Sequence, residues 1–283
     1  MTAVRSDVRI DTRDGIRCYL PASGMNDSDA KEFVGNDRFE QSLGAKSKGR
    51  ALFDFIVGKS NFIRTFDHVK PTLDIRPGHV VLELGAAHAW ASVLIKDDCP
   101  GAYVVTSDMV PETVAHSTDY ERLVGASVDE KWACSARDLP FADGQFDRVF
   151  TFAAFHHFGD HGDYSRALAE VARVLKPGGR LILLYEPNAP AFLYPLAFHR
   201  ANRRREIDGV DEDVLVAARL RLVAERVGLR FEATPFEFYR YRESVLVGAY
   251  YFLLAKLRLG SFVVCTTNMV LEKASAASPR PAE

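Results

Sequence analysis

Cysteine is scarce in this sequence, and its few occurrences are scattered. The 283 residues include four cysteines, Cys18, Cys99, Cys134 and Cys265, with no CxxC pair and no Cys/His cluster at the spacing of a metal site. We therefore expect free thiols in a reducing compartment and no bound metal. The first residues carry a charge every few positions and lack the apolar core of a signal peptide, which favours a cytoplasmic protein.

Excess charge and long apolar runs are also missing. The formal net charge is -2, so no nucleic-acid partner is expected, because proteins that bind one usually carry a marked basic excess. The apolar run at residues 245–257 is shorter than the roughly 20 residues that a membrane-spanning helix needs. Residues 192–205 join apolar side chains to a basic cluster, which favours a solvated helix with a basic end over peripheral membrane contact. The weak net charge and the short apolar runs favour a small-molecule substrate. They do not indicate an oligomeric state.

Strand-like and helix-like segments alternate from residue 78 onward. Buried strands are predicted at residues 79–84, 103–107 and 146–152, and a weaker one at residues 131–134. The turn Lys176-Pro-Gly-Gly179 ends a predicted helix, and another strand is predicted after this turn. Strands that alternate with helices in this way predict βαβ units and a parallel sheet.

The flanking segments are less regular. A helix is predicted at residues 213–227, a strand at 231–241, a helix at 245–257 and a last strand at 262–271. The predicted organisation is a helical cap at residues 1–70 with helices at 51–57 and 60–66, a main domain at residues 71–273 with a substrate lid at about 187–213, and a disordered tail at residues 274–283.

The first strand of the regular region runs into a glycine turn and then a helix. The turn reads Glu83-Leu-Gly-Ala-Ala-His-Ala-Trp90, and Gly85 can adopt positive φ and admit a ligand close to the backbone. In such a turn the backbone N–H groups and the helix dipole face a ligand beyond the carboxyl end of the strands.

At these residues the sequence resembles the class I S-adenosylmethionine-dependent methyltransferases of the small-molecule, type 11-like group. Glu83 and Gly85 match the E-x-G-x-G-x-G motif, whereas Ala87 and Ala89 stand at its second and third glycines. Asp108, about 20 residues after Gly85, is similar to the acid that hydrogen-bonds the ribose.

Further motifs follow in the family's order. The segment Cys134-Ser-Ala-Arg-Asp-Leu-Pro-Phe141 resembles G-D-A-x-x-L-P-F, with Ser135 at the position of the aspartate that faces the adenine. The resemblance implies a doubly wound, mostly parallel seven-stranded sheet with helices on both faces and an antiparallel final strand, and S-adenosylmethionine as cofactor. It assigns the cofactor to Glu83, Gly85, Ala86, Ala87, His88, Asp108, Met109, Ser135, Ala136, Arg137, Thr151 and Phe152.

Candidate bases follow the fourth and fifth strands. They are His156, His157 and Glu186, and an apolar pocket could raise the pKa of Glu186 into a useful range. The aromatic-rich flanks favour O-methylation of an aromatic or apolar metabolite. C-methylation of a prenyl or lipid-linked acceptor and non-catalytic binding of S-adenosylmethionine are the alternatives, the latter because Ala87, Ala89 and Ser135 depart from the motif.

Overall fold

A computed structural model describes residues 1–19, 62–159, 162–204, 212–235, 245–260 and 262–275. The helix predicted at residues 51–57, residues 205–211 of the lid segment, residues 236–241 of the strand predicted at 231–241 and most of the tail lie outside the described residues. The strands are β1 Asp11–Arg13, β2 Ile16–Cys18, β3 Val80–Leu84, β4 Tyr103–Asp108, β5 Glu130–Ala133, β6 Phe146–Phe152, β7 Leu175–Asn188, β8 Leu229–Pro235 and β9 Cys265–Lys273. The helices are α1 Phe62–Val69, α2 Trp90–Asp98, α3 Pro111–Ala115, α4 Ser117–Val124, α5 Ser165–Val174, α6 Tyr194–Ala201, α7 Ala217–Arg226 and α8 Val245–Leu257.

The described strands form one sheet in the order β1-β2-β5-β4-β3-β6-β7-β9-β8. Neighbours from β5 through β7 pair in parallel, and β9 runs antiparallel to both β7 and β8. The predicted doubly wound sheet with an antiparallel final strand is confirmed. Two strands, β1 and β2, extend it beyond the predicted seven.

Alternating side chains of the central strands build a core on each face of the sheet. Leu82 of β3 faces a cluster that includes Leu168 of α5 and Leu220 of α7. Val81 faces the opposite cluster, which includes Trp90 of α2. Because both faces are covered, most side chains of these strands are buried on either face, and apolar residues predominate, as is usual in a buried parallel sheet.

The prediction of a helical cap needs correction for its first part. Residues 11–18, which it included, form β1 and β2 at the edge of the sheet, where β2 pairs in parallel with β5. The turn between them is Asp14-Gly15, with φ of 49° and 80°. Two central residues at positive φ match the twist of a hairpin, and an Asp-Gly pair is a common choice there. The division into cap, main domain and lid otherwise stays a prediction.

The helix predicted from residue 213 begins later, at Ala217. The four residues before it are held in extended conformation by the end of β7. The amide of Leu215 donates to the carbonyl of Pro187 at 2.9 Å, and the carbonyl of Leu215 accepts from Ala189 at 2.8 Å. These backbone groups are therefore committed to a bridge and cannot continue a helix.

Helix α8 carries an unusual number of apolar side chains at the surface. Val245 is 87% exposed, Leu246 is 82% exposed and Leu253 is 53% exposed. Within the described ranges, no helix combines the length and the hydropathy that crossing a bilayer requires. Exposed apolar patches of this kind mark contact sites for apolar partners or ligands.

Candidate functional site

A crevice lies beyond the carboxyl ends of β3, β4 and β5. Since these strands are parallel and adjacent, the residues that follow them meet at one edge of the sheet. The crevice encloses about 370 Å³, including open solvent at its mouth. Its lining residues are Leu84, Gly85, Ser107, Asp108, Met109, Cys134, Ser135, Ala136, Arg137 and Phe158.

The loop between β3 and α2 runs along the crevice in left-handed backbone. Gly85, Ala87 and Ala89 have φ of 64°, 46° and 57°. The two alanines therefore keep the conformation that glycine adopts without steric cost, although an L-residue there is strained by about 1–2 kcal/mol. The amide of Ala86 donates to the carbonyl of Ser107 at 2.9 Å, which ties the loop to β4.

Gly85 is also required for packing. A Cβ atom at this position would lie 2.9 Å from the Cβ of Ala154 and 3.0 Å from the ring of Phe158. Such distances are shorter than van der Waals contact, so a larger residue would displace the turn that follows β6. The glycine thus joins the two loops that border the crevice.

Asp108 places a carboxylate in the crevice at the end of β4. One of its oxygens accepts a hydrogen bond from the amide of Ala87 at 2.8 Å, and the other accepts one from the amide of Val110 at 3.2 Å. Burial raises the pKa of this carboxyl group above its ordinary value, although these amides oppose the change. These backbone bonds fix the orientation of the carboxylate, which lines the crevice and can accept a hydrogen bond from a ligand hydroxyl.

The third strand end supplies Ser135, Ala136 and Arg137. The hydroxyl of Ser135 accepts a hydrogen bond from the amide of Arg137 at 3.2 Å. The carbonyl of Arg137 accepts one from the side chain of Arg166 on α5 at 2.9 Å. The crevice therefore contains six of the twelve predicted cofactor residues: Gly85, Asp108, Met109, Ser135, Ala136 and Arg137.

Glu83 lies outside the crevice lining, against the start of α2. Its carboxylate accepts a hydrogen bond from the amide of Ser92 at 3.0 Å and a second one from the Ser92 hydroxyl. Burial raises the pKa of Glu83 to about 8 because few groups compensate its charge. The side chain that the motif assigns to the cofactor therefore holds the loop to the helix behind it.

The other five predicted cofactor residues also lie outside the lining. Ala86 and Ala87 are in the loop and reach the site through their amides. The ring of His88 is buried, and its centroid lies 4.6 Å from that of His116, which follows α3. Thr151 donates to Glu186 at 3.1 Å. Phe152 stacks on Tyr185 with ring centroids 5.5 Å apart.

Glu186 is a fully buried carboxylate with five hydrogen-bond donors around it. One oxygen accepts from the Thr151 hydroxyl and from the amides of Ala154 at 3.0 Å and Phe155 at 2.8 Å. The other accepts from the amide of His156 at 3.3 Å and from its ring Nδ1 at 2.8 Å. Burial acts to raise the pKa of Glu186, but the His156 ring and the amides outweigh it and lower the pKa. The raised pKa expected from the sequence is wrong, and the saturated oxygens suit an anchor rather than a base.

The two histidines of the pair differ in charge. Burial acts to lower the pKa of His156, but bonds to Glu186 and Glu212 raise it to about 10, so this ring is an imidazolium at neutral pH. Burial and the charge of His156 lower the pKa of His157 to about 4, so this ring is neutral. A cation cannot accept a proton, and a group with a pKa near 4 is a weak base at pH 7. These pKa values therefore disfavour both histidines as the predicted base.

Several residues of the site were not identified from the sequence. Leu84 is the last residue of β3 and pairs with Ser107, the next-to-last residue of β4, so strand register alone would have placed both at the crevice. Phe158 follows the histidine pair and could have been found by the same argument. No local sequence pattern identifies Glu212 as a site residue, because its partner His156 is distant in the sequence.

Comparisons with known proteins agree with this geometry. A family model described as a methyltransferase domain matches residues 82–183. The demethylmenaquinone methyltransferase of Thermus thermophilus is 36% identical over 118 residues, which are 42% of this chain and 52% of that protein. The ubiquinone/menaquinone biosynthesis C-methyltransferase UbiE of Bordetella avium is 36% identical over 126 residues, 42% of this chain and 47% of that protein. The chain thus spans about half the length of these curated relatives.

A solved structure shares the fold over most of the chain. The Haemonchus contortus phosphoethanolamine N-methyltransferase 2, in complex with S-adenosyl-L-methionine, has a TM-score of 0.60 at 16% identity. The likeness covers 92% of this chain and 62% of that one. At this identity it establishes the fold, which is the fold the sequence motifs imply.

Replacing Ala87 by glycine tests the strain in the loop. We expect Ala87→Gly to raise the free energy of unfolding by about 0.5–1 kcal/mol, because relief of the left-handed strain exceeds the entropy that glycine adds to the unfolded chain. The measurement is urea unfolding without ligand. Ala172→Gly in α5 is the matched control and should lower the same quantity by about 1 kcal/mol. Equal losses in both variants would contradict the assigned backbone strain.

Glu83→Gln tests the buried carboxyl group through its pH dependence. A pKa raised to about 8 in the folded protein means that Glu83 stabilises the fold at low pH and loses this contribution as the pH rises toward 8. Glutamine resembles the protonated form, so its advantage over Glu83 should grow by on the order of 2 kcal/mol between about pH 5.5 and about pH 8. Urea unfolding at both pH values measures this, with the exposed Glu112→Gln as control. An advantage that is constant with pH would refute the assignment.

Proposed function

We propose that this chain, whose residues 82–183 form a class I methyltransferase domain, binds S-adenosylmethionine in the crevice and transfers its methyl group to a small organic acceptor. The observation that carries the proposal is the carboxylate of Asp108, which is oriented by two backbone amides at the edge of the crevice. A carboxylate fixed in this way at the crevice wall is suited to accept hydrogen bonds from the hydroxyls of a ribose.

The remaining crevice residues fit the other parts of the cofactor. Leu84, Met109 and Phe158 give apolar walls on which an adenine ring can pack, and Ser135 adds a hydroxyl at the third strand end. The left-handed loop from Gly85 brings backbone close to the ligand, as a glycine turn before a helix does. When bound, the cofactor supplies a methyl group on a positively charged sulfur.

The protein's contribution to the transfer is chiefly positioning. The reaction is an in-line displacement that removes the charge of the sulfonium, so an acceptor held close to the methyl carbon gains most of the available acceleration. Glu186 anchors the turn that follows β6, and His156 is an imidazolium between two carboxylates. These groups hold the wall of the crevice beside the acceptor position.

The acceptor that we propose is an aromatic or apolar metabolite, methylated on oxygen. The bond from oxygen to the methyl carbon forms as the bond from that carbon to sulfur breaks, and the proton of the hydroxyl leaves to water. Aromatic side chains cluster where β6 and β7 end: the rings of Phe152 and Tyr185 stack, and Phe62 meets both edge-on at 5.8 and 6.0 Å. All three are partly exposed, so they offer an apolar surface at the end of β6, the strand that pairs with β3. An aromatic acceptor can pack against such a surface at low entropic cost.

A second candidate is C-methylation of a prenyl or lipid-linked acceptor. It is favoured by the exposed apolar side chains of α8, which suit a long apolar tail. The names of the two curated relatives point the same way, but their likeness lies in the cofactor half of the domain. The position of the transferred methyl group in the product, on oxygen or on carbon, distinguishes the two candidates.

Isothermal titration with S-adenosylmethionine and S-adenosylhomocysteine tests the proposed function. We expect both to bind with one-to-one stoichiometry, and Asp108→Asn to weaken binding by about 10–100-fold, because charged hydrogen bonds are worth about 1.5–3 kcal/mol. The exposed Asp143→Asn is the matched control and should bind as the unaltered chain does. Failure of the unaltered chain to bind either compound would overturn the proposal, as would unchanged affinity in Asp108→Asn.

A further inference from the structure

A cluster of two histidines and one carboxylate lies beside the crevice. His156 and His157 belong to the short 3₁₀ turn after β6, directly before Phe158 of the crevice wall. Glu212 approaches them from the segment that precedes α7. Each residue directs one ligand atom into the cluster, and the three atoms lie within 4.8 Å of one another.

The distances suit coordination of one ion. The Nε2 atom of His156 lies 3.2 Å from an oxygen of Glu212, and the Nε2 atom of His157 lies 3.7 Å from the same oxygen. Two ligands that bind zinc at about 2.0–2.1 Å with a tetrahedral angle stand about 3.3 Å apart. The 3.7 Å separation is too long for a hydrogen bond, and the ring of His157 is held instead by packing against that of His156, with centroids 4.1 Å apart.

The surroundings of His156 resemble the outer shell of a metal site. Its Nδ1 atom lies 2.8 Å from the buried carboxylate of Glu186, opposite the Nε2 atom that faces Glu212. Metal-bound histidines usually donate their second ring N–H to a carboxylate or carbonyl, which fixes the tautomer and turns the other nitrogen to the ion. Glu186 supplies this contact, and an ion bound at Nε2 takes the place of the proton that this nitrogen shares with Glu212 when no metal is bound.

Glu212 is held in place by its own neighbours. The side-chain amide of Asn202 donates to the carbonyl of Glu212 at 2.7 Å and accepts from its amide at 3.0 Å. The next residue, Asp213, is bound by the hydroxyls of Tyr164 and Tyr194. The carboxylate of Glu212 is 43% exposed, so an ion can reach the cluster from solvent.

From this arrangement we infer that His156, His157 and Glu212 bind one divalent transition-metal ion, of which Zn²⁺ is the best match. Imidazole and carboxylate ligands suit Zn²⁺, and a set of two histidines and one glutamate leaves a fourth position for water or for an oxygen of another molecule. The inference concerns binding of the ion alone and stands independently of the proposed methyl transfer.

Equilibrium dialysis and calorimetric titration of chelator-treated protein with ZnCl₂ test the inference. The unaltered chain should bind one Zn²⁺ per molecule, and Glu212→Gln and His157→Asn should each weaken binding at least about 10-fold. Glu225→Gln and His199→Asn change exposed residues of the same types outside the cluster and should leave the affinity unchanged. Circular dichroism establishes that each variant is folded.

A spectroscopic measurement checks the ligand set directly. Co²⁺ in place of Zn²⁺ should give the strong visible absorption of a low-coordinate site, and both cluster variants should lose it while both controls keep it. Absence of saturable Zn²⁺ binding by the folded, unaltered chain would overturn the inference. Binding that both cluster variants retain in full would overturn it as well, because the ion would then be bound elsewhere.

Discussion

The buried carboxylate of Glu186 is the interaction on which the candidate site depends. It lies on β7, yet its five donors come from the end of β6 and the turn that follows. A carboxylate without exposure to water is stable only when it is paired and hydrogen-bonded, and breaking a buried pair of this kind typically costs about 3–5 kcal/mol. The turn is therefore fixed to the sheet by charged hydrogen bonds in addition to the apolar packing of Phe155 and Phe158 in the core.

The turn that Glu186 binds positions two parts of the site. The turn carries Ala154 and Phe158, which pack against Gly85 and so set the width of the crevice beside the β3 loop. The same turn carries His156, whose ring bridges from Glu186 to Glu212. The crevice and the histidine cluster thus share one rigid support, and a change in either one is expected to reach the other through the 3₁₀ turn.

The sequence predicted the fold well and the chemistry of individual side chains less well. Apolar strands, the Gly85 turn and the acid at the end of β4 are local patterns, so the sequence alone predicts Asp108 at the edge of the sheet where the crevice lies. Glu186 was interpreted as a base, because sequence shows that a carboxylate follows a strand but not that donors from another strand saturate it. Glu212 was missed for the same reason: its partners are distant in the chain. The Asp14-Gly15 hairpin was a local signal, and it was overlooked.

Alanine replaces glycine at two positions of the motif, but the backbone conformation expected of glycine is kept, since Ala87 and Ala89 both have positive φ. The central claim is accordingly that the crevice beside this loop accepts S-adenosylmethionine in the manner of the family. A crystal structure of the chain with S-adenosylhomocysteine tests it most directly. The account predicts both ribose hydroxyls at hydrogen-bond distance, about 2.7–3.0 Å, from the carboxylate of Asp108, with the adenine beside Ser135. A ligand bound elsewhere, or bound without contact to Asp108, would contradict it.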